Sequence, residues 1–258
     1  NALTTARSIP KERARVRALS TLAPLLIEHR QLLADALADA YTLNNPMEKG
    51  SALIALAPYL PPGETTERTI EVILENLQGI MVEYRRARAL TSLADYLPAN
   101  QLQAALVIAL AINDPYDQST TLLSLLPQIK GADRPEIFTQ AWESARDITD
   151  HYDRAMALST LWTQAEANDQ TVIVREVLDA VKQIGDDYDR ASGLSVFAPL
   201  LIDEDMPSVL PPESQVLREA LLACSDLPSA SARTVDFTAL TDIWIKLSPA
   251  PVSYALWC

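Results

Sequence analysis

The sequence predicts an all-α protein, built as a right-handed α-α superhelix (a solenoid) of about seven two-helix repeats of roughly 36 residues. The phrase Tyr-Asp-Arg-Ala occupies residues 152–155 and returns at 188–191, followed each time by apolar residues three and six positions after the alanine. Weaker versions of the phrase lie on both sides. The chain also has only 6 Gly and is rich in Ala and Leu, as an all-helical protein requires. We expect residues 1–258 to form one continuous array.

Seven versions of the phrase share one register, and we count positions in each copy from its first leucine as zero. Position zero holds Leu19, Leu53, Leu90, Leu122, Leu158, Leu194 and Phe237. Position +3 holds Leu22, Leu56, Leu93, Leu125, Leu161, Phe197 and Leu240. Since residues three and four apart share one face of an α-helix, this ladder predicts a first helix, helix A, in each copy. The residues expected to be nearly fully buried are Leu90, Leu93, Leu122, Leu125, Leu158, Leu161, Leu194 and Phe197. Position −4 is basic or an amide in every copy: Arg15, Lys49, Arg86, Gln118, Arg154, Arg190 and Arg233.

A second apolar ladder predicts that each repeat also contains a helix B, which ends shortly before the next phrase. Its members are Leu43, Ile80, Ile112, Ile148, Ile184 and Leu227. Asp114, Asp150 and Asp186 follow this ladder where an N-cap would accept free backbone N–H groups of helix A. Proline at position +5 (Pro24, Pro58, Pro127 and Pro199) or at +8 (Pro98) should end or kink helix A. The longer step to the last copy predicts an insertion around residues 202–212.

Charge restricts the partners of the protein. The net charge is −13, and residues 1–100 contain 11 basic and 11 acidic residues, so the acidic excess lies after residue 100. An acidic surface disfavours nucleic acid and favours a basic partner, or it simply keeps helices soluble. The longest apolar run, residues 104–112, is far below the roughly 20 residues that a membrane span needs. The two Cys form no disulfide framework, which favours a cytoplasmic location.

The residue types and spacings do not indicate an enzyme, a metal site or a cofactor site. His29 and His151 are far apart and neither has a second ligand at metal-binding spacing. Residues 49–51 (Lys-Gly-Ser) lack the order and the upstream glycine of a phosphate loop. Cys224 lies on a predicted helix, where a packed thiol is expected rather than a nucleophile.

The repeated Asp-Arg and Tyr residues have a structural and a functional interpretation. Asp at the start of helix A suits the helix dipole, and we expect Arg154 and Arg190 each to contact an acidic side chain or a backbone carbonyl of an adjacent helix. The alternative is a ladder of charges that grips a partner. The Tyr series (Tyr84, Tyr116, Tyr152 and Tyr188) is expected to pack its rings between repeats, with the hydroxyls at the rim.

Function is expected where the repeats differ, at positions −2 and +2 of helix A. These positions lie off the leucine face and would face a ligand if helix A lines the inner surface of the array; packing against the next helix A is the alternative. The candidate partner-binding residues at position −2 are Arg17, Arg88, Thr120, Met156 and Ser192, and at position +2 they are Ser124 and Thr160.

The pattern Arg-Ala-x-x-Leu-x-x-Leu-Ala-Pro-x-Leu, fullest at residues 190–201 (with Phe at the second leucine), resembles degenerate tetratricopeptide-like or HEAT-like repeats. Such repeats occur in bacterial signalling proteins joined to a STAND/NACHT ATPase or a caspase-like protease. The resemblance covers about residues 11–245 and implies the sensor or interaction arm of a longer multidomain protein. We therefore expect a module that binds a protein or peptide, with a basic partner and other domains of the same polypeptide as the candidates. The alternative is a structural spacer or oligomerisation scaffold.

Overall fold

The computed structural model describes residues 2–186, 189–190 and 192–193, and these residues form helices and turns without a β-strand. The α-helices are α1 (Ala2–Arg7), α2 (Glu12–Leu22), α3 (Arg30–Tyr41), α4 (Pro46–Leu56), α5 (Glu64–Gln78), α6 (Glu83–Leu93), α7 (Leu102–Leu110), α8 (Pro115–Leu125), α9 (Arg134–Asp147), α10 (His151–Trp162) and α11 (Ala167–Lys182). The all-α prediction is confirmed at this level. Helices α2, α4, α6, α8 and α10 are the helices A of copies one to five, and α3, α5, α7, α9 and α11 are the helices B. Position zero of copies six and seven lies outside the described residues.

The ladder at position zero and +3 forms the core of each copy. Leu53, Leu90, Leu93, Leu122 and Leu161 have no measurable exposure. Leu19, Leu56, Leu125 and Leu158 are also buried, whereas Leu22 of the first copy is half-buried. The expected burial is thus confirmed for the six predicted leucines of copies three to five. Leu194 and Phe197 lie outside the described residues.

The helix boundaries follow the capping and proline signals. Asp114 and Asp150 accept the backbone N–H groups of Asp117 and Asp153, each at 2.9 Å, and Asp186 accepts that of Asp189 at 3.0 Å. In copies one to four, helix A passes into a short 3-10 turn at position +4. Proline is the second residue of that turn in three of these copies, because its missing N–H breaks the α-helical hydrogen-bond pattern there.

The chain divides into an N-terminal unit, residues 1–141, and a C-terminal unit, residues 142–258. In the N-terminal unit, α2 packs against α4, α4 against α6 and α6 against α8, while α5 packs against α7. Helices A therefore follow one another along this unit, and one pair of helices B, α5 and α7, also packs side by side. In the C-terminal unit, α10 packs against α11. No helix among the described residues has the length and hydropathy to cross a bilayer.

Candidate functional site

The candidate residues at positions −2 and +2 lie on the accessible side of the helices A. Arg17 and Arg88 are exposed, Thr120 and Ser124 are half-buried, and all four belong to the N-terminal unit. Position −2 is rotated by about 160° from the buried leucine on an α-helix, which accounts for this exposure. We call the surface formed by positions −6, −2 and +2 of α2, α4, α6 and α8 the helix A face. It comprises Arg13, Arg17, Thr21, Met47, Ser51, Ala55, Tyr84, Arg88, Ser92, Tyr116, Thr120 and Ser124.

The hydroxyl groups of the helix A face are already satisfied by their own helices. Thr21 and Ser92 donate to the carbonyl oxygens of Arg17 and Arg88 at 2.9 Å, and Thr120 donates to that of Tyr116 at 2.8 Å. Ser51 and Ser124 make similar bonds within α4 and α8. Each of these hydroxyls therefore already donates a hydrogen bond within its own helix. The charged and aromatic residues beside them are the groups that contribute most to the binding energy of a partner.

Arg13, Arg17 and Arg88 supply the charge of this face, and Arg85 lies beside it at position −5. Arg13 and Arg17 on α2, and Arg85 and Arg88 on α6, are exposed, and none of the four has a carboxylate within ion-pair distance among the described residues. Arg85 instead donates to the Tyr84 hydroxyl at 3.0 Å and lies 5.7 Å from the centre of that ring. An exposed arginine without a carboxylate can pair with an incoming anion without first breaking an internal ion pair.

The tyrosine rings were expected to pack between repeats. This expectation is wrong for copies three and four, whose neighbouring copies are both described. Tyr84 is 54% exposed and Tyr116 is 41% exposed. Position −6 is about 120° from the buried leucine around the helix, so the ring lies beside the core and not in it. Tyr152, in the C-terminal unit, is half-buried and its hydroxyl lies 3.4 Å from the Ser192 hydroxyl. Tyr188 lies outside the described residues. The exposed rings of Tyr84 and Tyr116 therefore extend the helix A face.

In copies three, four and six, the basic or amide residue at position −4 closes the end of the preceding helix B. Arg86, Gln118 and Arg190 donate to the carbonyl oxygens of Ile80, Ile112 and Ile184 at 3.2, 2.7 and 2.9 Å. The structural interpretation of Arg190 is thus confirmed, because its partner is a carbonyl at the end of the neighbouring helix B.

The same expectation is wrong for Arg154. Its Nη2 atom contacts Nδ1 of His151, three residues earlier on its own helix, and not an acidic side chain or a carbonyl of an adjacent helix. The reason is that position −7 of this copy is histidine, whose ring nitrogen accepts the guanidinium donor locally.

Two glutamates form inter-repeat contacts that the sequence reasoning missed. Glu12 accepts the backbone N–H groups of Asn44 and Asn45 at 3.1 and 3.2 Å. Glu83 accepts those of Asn113 and Asp114 at 3.1 Å each, and the Asn113 side-chain amide at 2.6 Å. We call these two arrangements the Glu12 clasp and the Glu83 clasp.

The two clasps have electrostatic consequences. The backbone N–H groups of Asn44 and then Asn45 lower the pKa of Glu12, and the Asn113 side chain is the largest cause that lowers the pKa of Glu83. Burial, with Asp114 and Glu83 nearby, raises the pKa of Asp117. A signal for the clasps existed in the sequence. Position −7 is Glu only in copies one and three, and the loop before the helix A of the next copy carries Asn-Asn in one case and Asn-Asp in the other.

An acidic groove lies on the helices B of the N-terminal unit. Glu64, Glu67, Glu71 and Glu75 share one exposed face of α5, with Arg68 as the one basic residue in the lining, and Asn100, Gln101 and Ala104 line the other side. The amide of Gln101 donates to the backbone carbonyl of Glu67 at 2.6 Å, which links α5 to the start of α7.

In the C-terminal unit, Met156 and Ser192 are half-buried and Thr160 is exposed. A second cluster here was not predicted. Glu176 on α11 accepts from the Trp142 indole N–H at 2.7 Å and from Arg146, whose guanidinium stacks 4.3 Å from the centre of the Trp142 ring. All three side chains bind one another within the cluster, and these contacts link α9 to α11.

Among the described residues, no three His, Cys, Asp or Glu side chains group as metal ligands would. Comparison with protein-family models, with curated proteins and with solved structures gave no match for this chain.

Proposed function

We propose that the protein is a helical-repeat module that binds a protein or peptide, and that the helix A face of its N-terminal unit takes an acidic segment of the partner. The observation that carries this proposal is the pair Arg17 and Arg88: both are exposed, both occupy position −2, and neither has a carboxylate partner among the described residues. Arginine and tyrosine are also the residue types that contribute most at protein interfaces, and Tyr84 is 54% exposed beside Arg85.

The order of the helices sets the dimensions of the bound segment. Helix α4 packs against both α2 and α6. At about 8–10 Å between packed helices, the arginines of α2 and α6 are roughly 16–20 Å apart across the face. An extended chain rises about 3.3 Å per residue, so the two acidic groups lie about five or six positions apart in a segment that crosses the helices.

Between the two arginine pairs, α4 presents residues without charge. Met47 is half-buried, and Ser51 and Ala55 are small. This centre suits an apolar residue between the two acidic groups. A protein segment fits this alternation of acid, apolar and acid better than a nucleic acid does, because a phosphate backbone carries charge at every step and the net charge of the whole protein is −13.

The proposal also includes finer expectations about the architecture, the parent protein and its location. The copies continue as a right-handed α-α superhelix, and the module acts as the sensor arm of a bacterial STAND/NACHT or caspase-associated signalling protein in the cytoplasm. The repeated phrase, the paired helices of copies one to five and the helix-on-helix packing within the N-terminal unit support this. A basic partner in the acidic groove is the second candidate, supported by the exposed glutamates of α5. A spacer or scaffold is the alternative in which neither surface binds.

The test is a titration with fluorescein-labelled peptides of ten residues, in which two Glu-Asp pairs flank a leucine and begin five or six positions apart. The double variant Arg17→Glu/Arg88→Glu should abolish the anisotropy change. The matched control is Arg30→Glu/Lys130→Glu, which alters the net charge equally at exposed positions outside the helix A face and the acidic groove. The control should bind like wild type.

The remaining outcomes separate the alternatives. Equal loss in both double variants means that net charge alone attracts the peptide, and it rejects the helix A face. Tighter binding of a single-stranded oligonucleotide than of the peptide rejects the protein partner. Binding of only a lysine-rich peptide, with loss in Glu67→Lys/Glu71→Lys, moves the site to the acidic groove. Failure of all three probes together with self-association favours the scaffold.

A further inference from the structure

The two clasps join the copies of the N-terminal unit in pairs. Glu12 at the start of α2 holds the loop that precedes α4, and Glu83 at the start of α6 holds the loop that precedes α8. Each clasp gives a carboxylate two backbone N–H donors and an asparagine amide from the next copy. Charge-assisted bonds of this kind are stronger than neutral ones, so copies one and two, and copies three and four, are each fixed at this edge.

The joint between copies two and three lacks every part of this arrangement. Position −7 of copy two is Pro46, which has no acceptor for the next loop. The loop that precedes α6 carries Met81 and Val82 where the clasped loops carry Asn and Asn or Asp, and the N-cap residue Val82 makes no side-chain cap. Met81 is 89% exposed. At this edge, Arg85 of α6 donates to the Met47 sulfur of α4, which is a weak acceptor.

The helices B hold the same joint together. Gln101 donates to the backbone carbonyl of Glu67 at 2.6 Å, and Asn100 lies 3.4 Å from its carboxylate. Copies two and three are therefore tied on the side of α5 and α7 and weakly linked on the side of α4 and α6. A joint that is fixed along one edge and loose along the other has the form of a hinge.

We propose that the N-terminal unit flexes at the joint between α4 and α6, with copies one and two moving as one block and copies three and four as the other. The hinge axis runs along the contact of α5 with α7. Opening at this joint moves α2 and α4 relative to α6 and α8, so it changes the distance between the arginines of α2 and those of α6. This flexing does not depend on whether the helix A face binds a partner.

The test measures distance distributions by electron paramagnetic resonance between nitroxide labels on the full chain, with Cys224 and Cys258 replaced by Ser. Three cysteine pairs report on three neighbouring joints: Thr21→Cys with Ser51→Cys, Ser51→Cys with Ser92→Cys, and Ser92→Cys with Ser124→Cys. The pair at residues 51 and 92 should give a broader distribution than either of the other two.

Two further variants establish the cause. The triple variant Pro46→Glu/Met81→Asn/Val82→Asp installs the missing clasp at exposed positions, and it should narrow the 51–92 distribution to the width of the other pairs. Conversely, Glu83→Gln should broaden the 92–124 distribution. The far-UV circular dichroism spectrum checks that each variant folds. Equal widths at the three joints, or an unchanged 51–92 width in the folded triple variant, would overturn the proposal.

Discussion

Replacement of a single ladder leucine tests the repeat register quantitatively. Leu90 on α6 has no exposed surface, and α6 packs against both α4 and α8. Leu90→Ala removes three carbon atoms, which is a loss of about 2.4 kcal/mol at roughly 0.8 kcal/mol per buried methylene. The cavity that remains adds to this cost, so we expect a destabilisation of about 3–4 kcal/mol, within the usual range of roughly 2–5 kcal/mol for buried leucines.

The matched control makes the same chemical change at an exposed site. Leu25, in the 3-10 turn after α2, is 68% exposed, so Leu25→Ala should cost less than about 0.5 kcal/mol. Urea unfolding followed by far-UV circular dichroism gives both values from the shift in midpoint. All 4 Trp residues lie at residue 142 or later, so tryptophan fluorescence follows only the C-terminal part of the chain. Equal costs for the two variants would refute the assignment of the buried face.

Three other predictions concern the clasps, the tryptophan cluster and the arginine partners. The pKa of Glu83 is lowered in the folded state, so the Glu83 clasp stabilises the fold above the ordinary pKa of 4.5 and this stabilisation is lost as the pH falls through the folded pKa. Glu83→Gln should therefore flatten the acid limb of the Tm–pH profile. Glu75→Gln is the control and should leave the profile unchanged. Glu176→Gln should destabilise the C-terminal unit by about 1–2 kcal/mol and shift the Trp142 emission in urea titrations. Asp147→Asn is the control and should leave the stability and the emission unchanged. Equal effects of the two variants would contradict the cluster. His151→Ala should alter the NMR signal of the Arg154 side chain but not that of Arg190, which donates to a carbonyl; an unchanged Arg154 signal would contradict the contact with His151.

Local signals were sufficient to predict the helix pairs of the described copies. Periodic leucines, aspartates at N-caps and prolines at position +5 act within one helix or one turn, so they can be read without knowing the tertiary structure. Asp150, for example, caps α10 through a residue only three positions away. The burial of Leu93 and Leu161 follows from the same periodicity.

The clasps and the side-chain partners were harder to predict because they depend on contacts between copies. Glu12 meets Asn44, which is 32 residues away. The repeated phrase also suggested that equivalent residues have equivalent roles, but Arg154 and Arg190 have different partners because their local neighbours differ. Exposure of Tyr84 follows from its angle on the helix, which a comparison of position −6 with position zero would have indicated.

Hydrogen–deuterium exchange of the full chain, with and without a saturating acidic peptide, tests the binding proposal most directly. The peptide should slow exchange in residues 12–22 and 83–93, which carry the arginines of the helix A face, and leave residues 64–78 of the acidic groove unchanged. Protection should weaken as salt rises, since exposed charges are screened over about 8 Å at physiological ionic strength. Protection confined to residues 64–78, or the same exchange with and without peptide, would contradict the account.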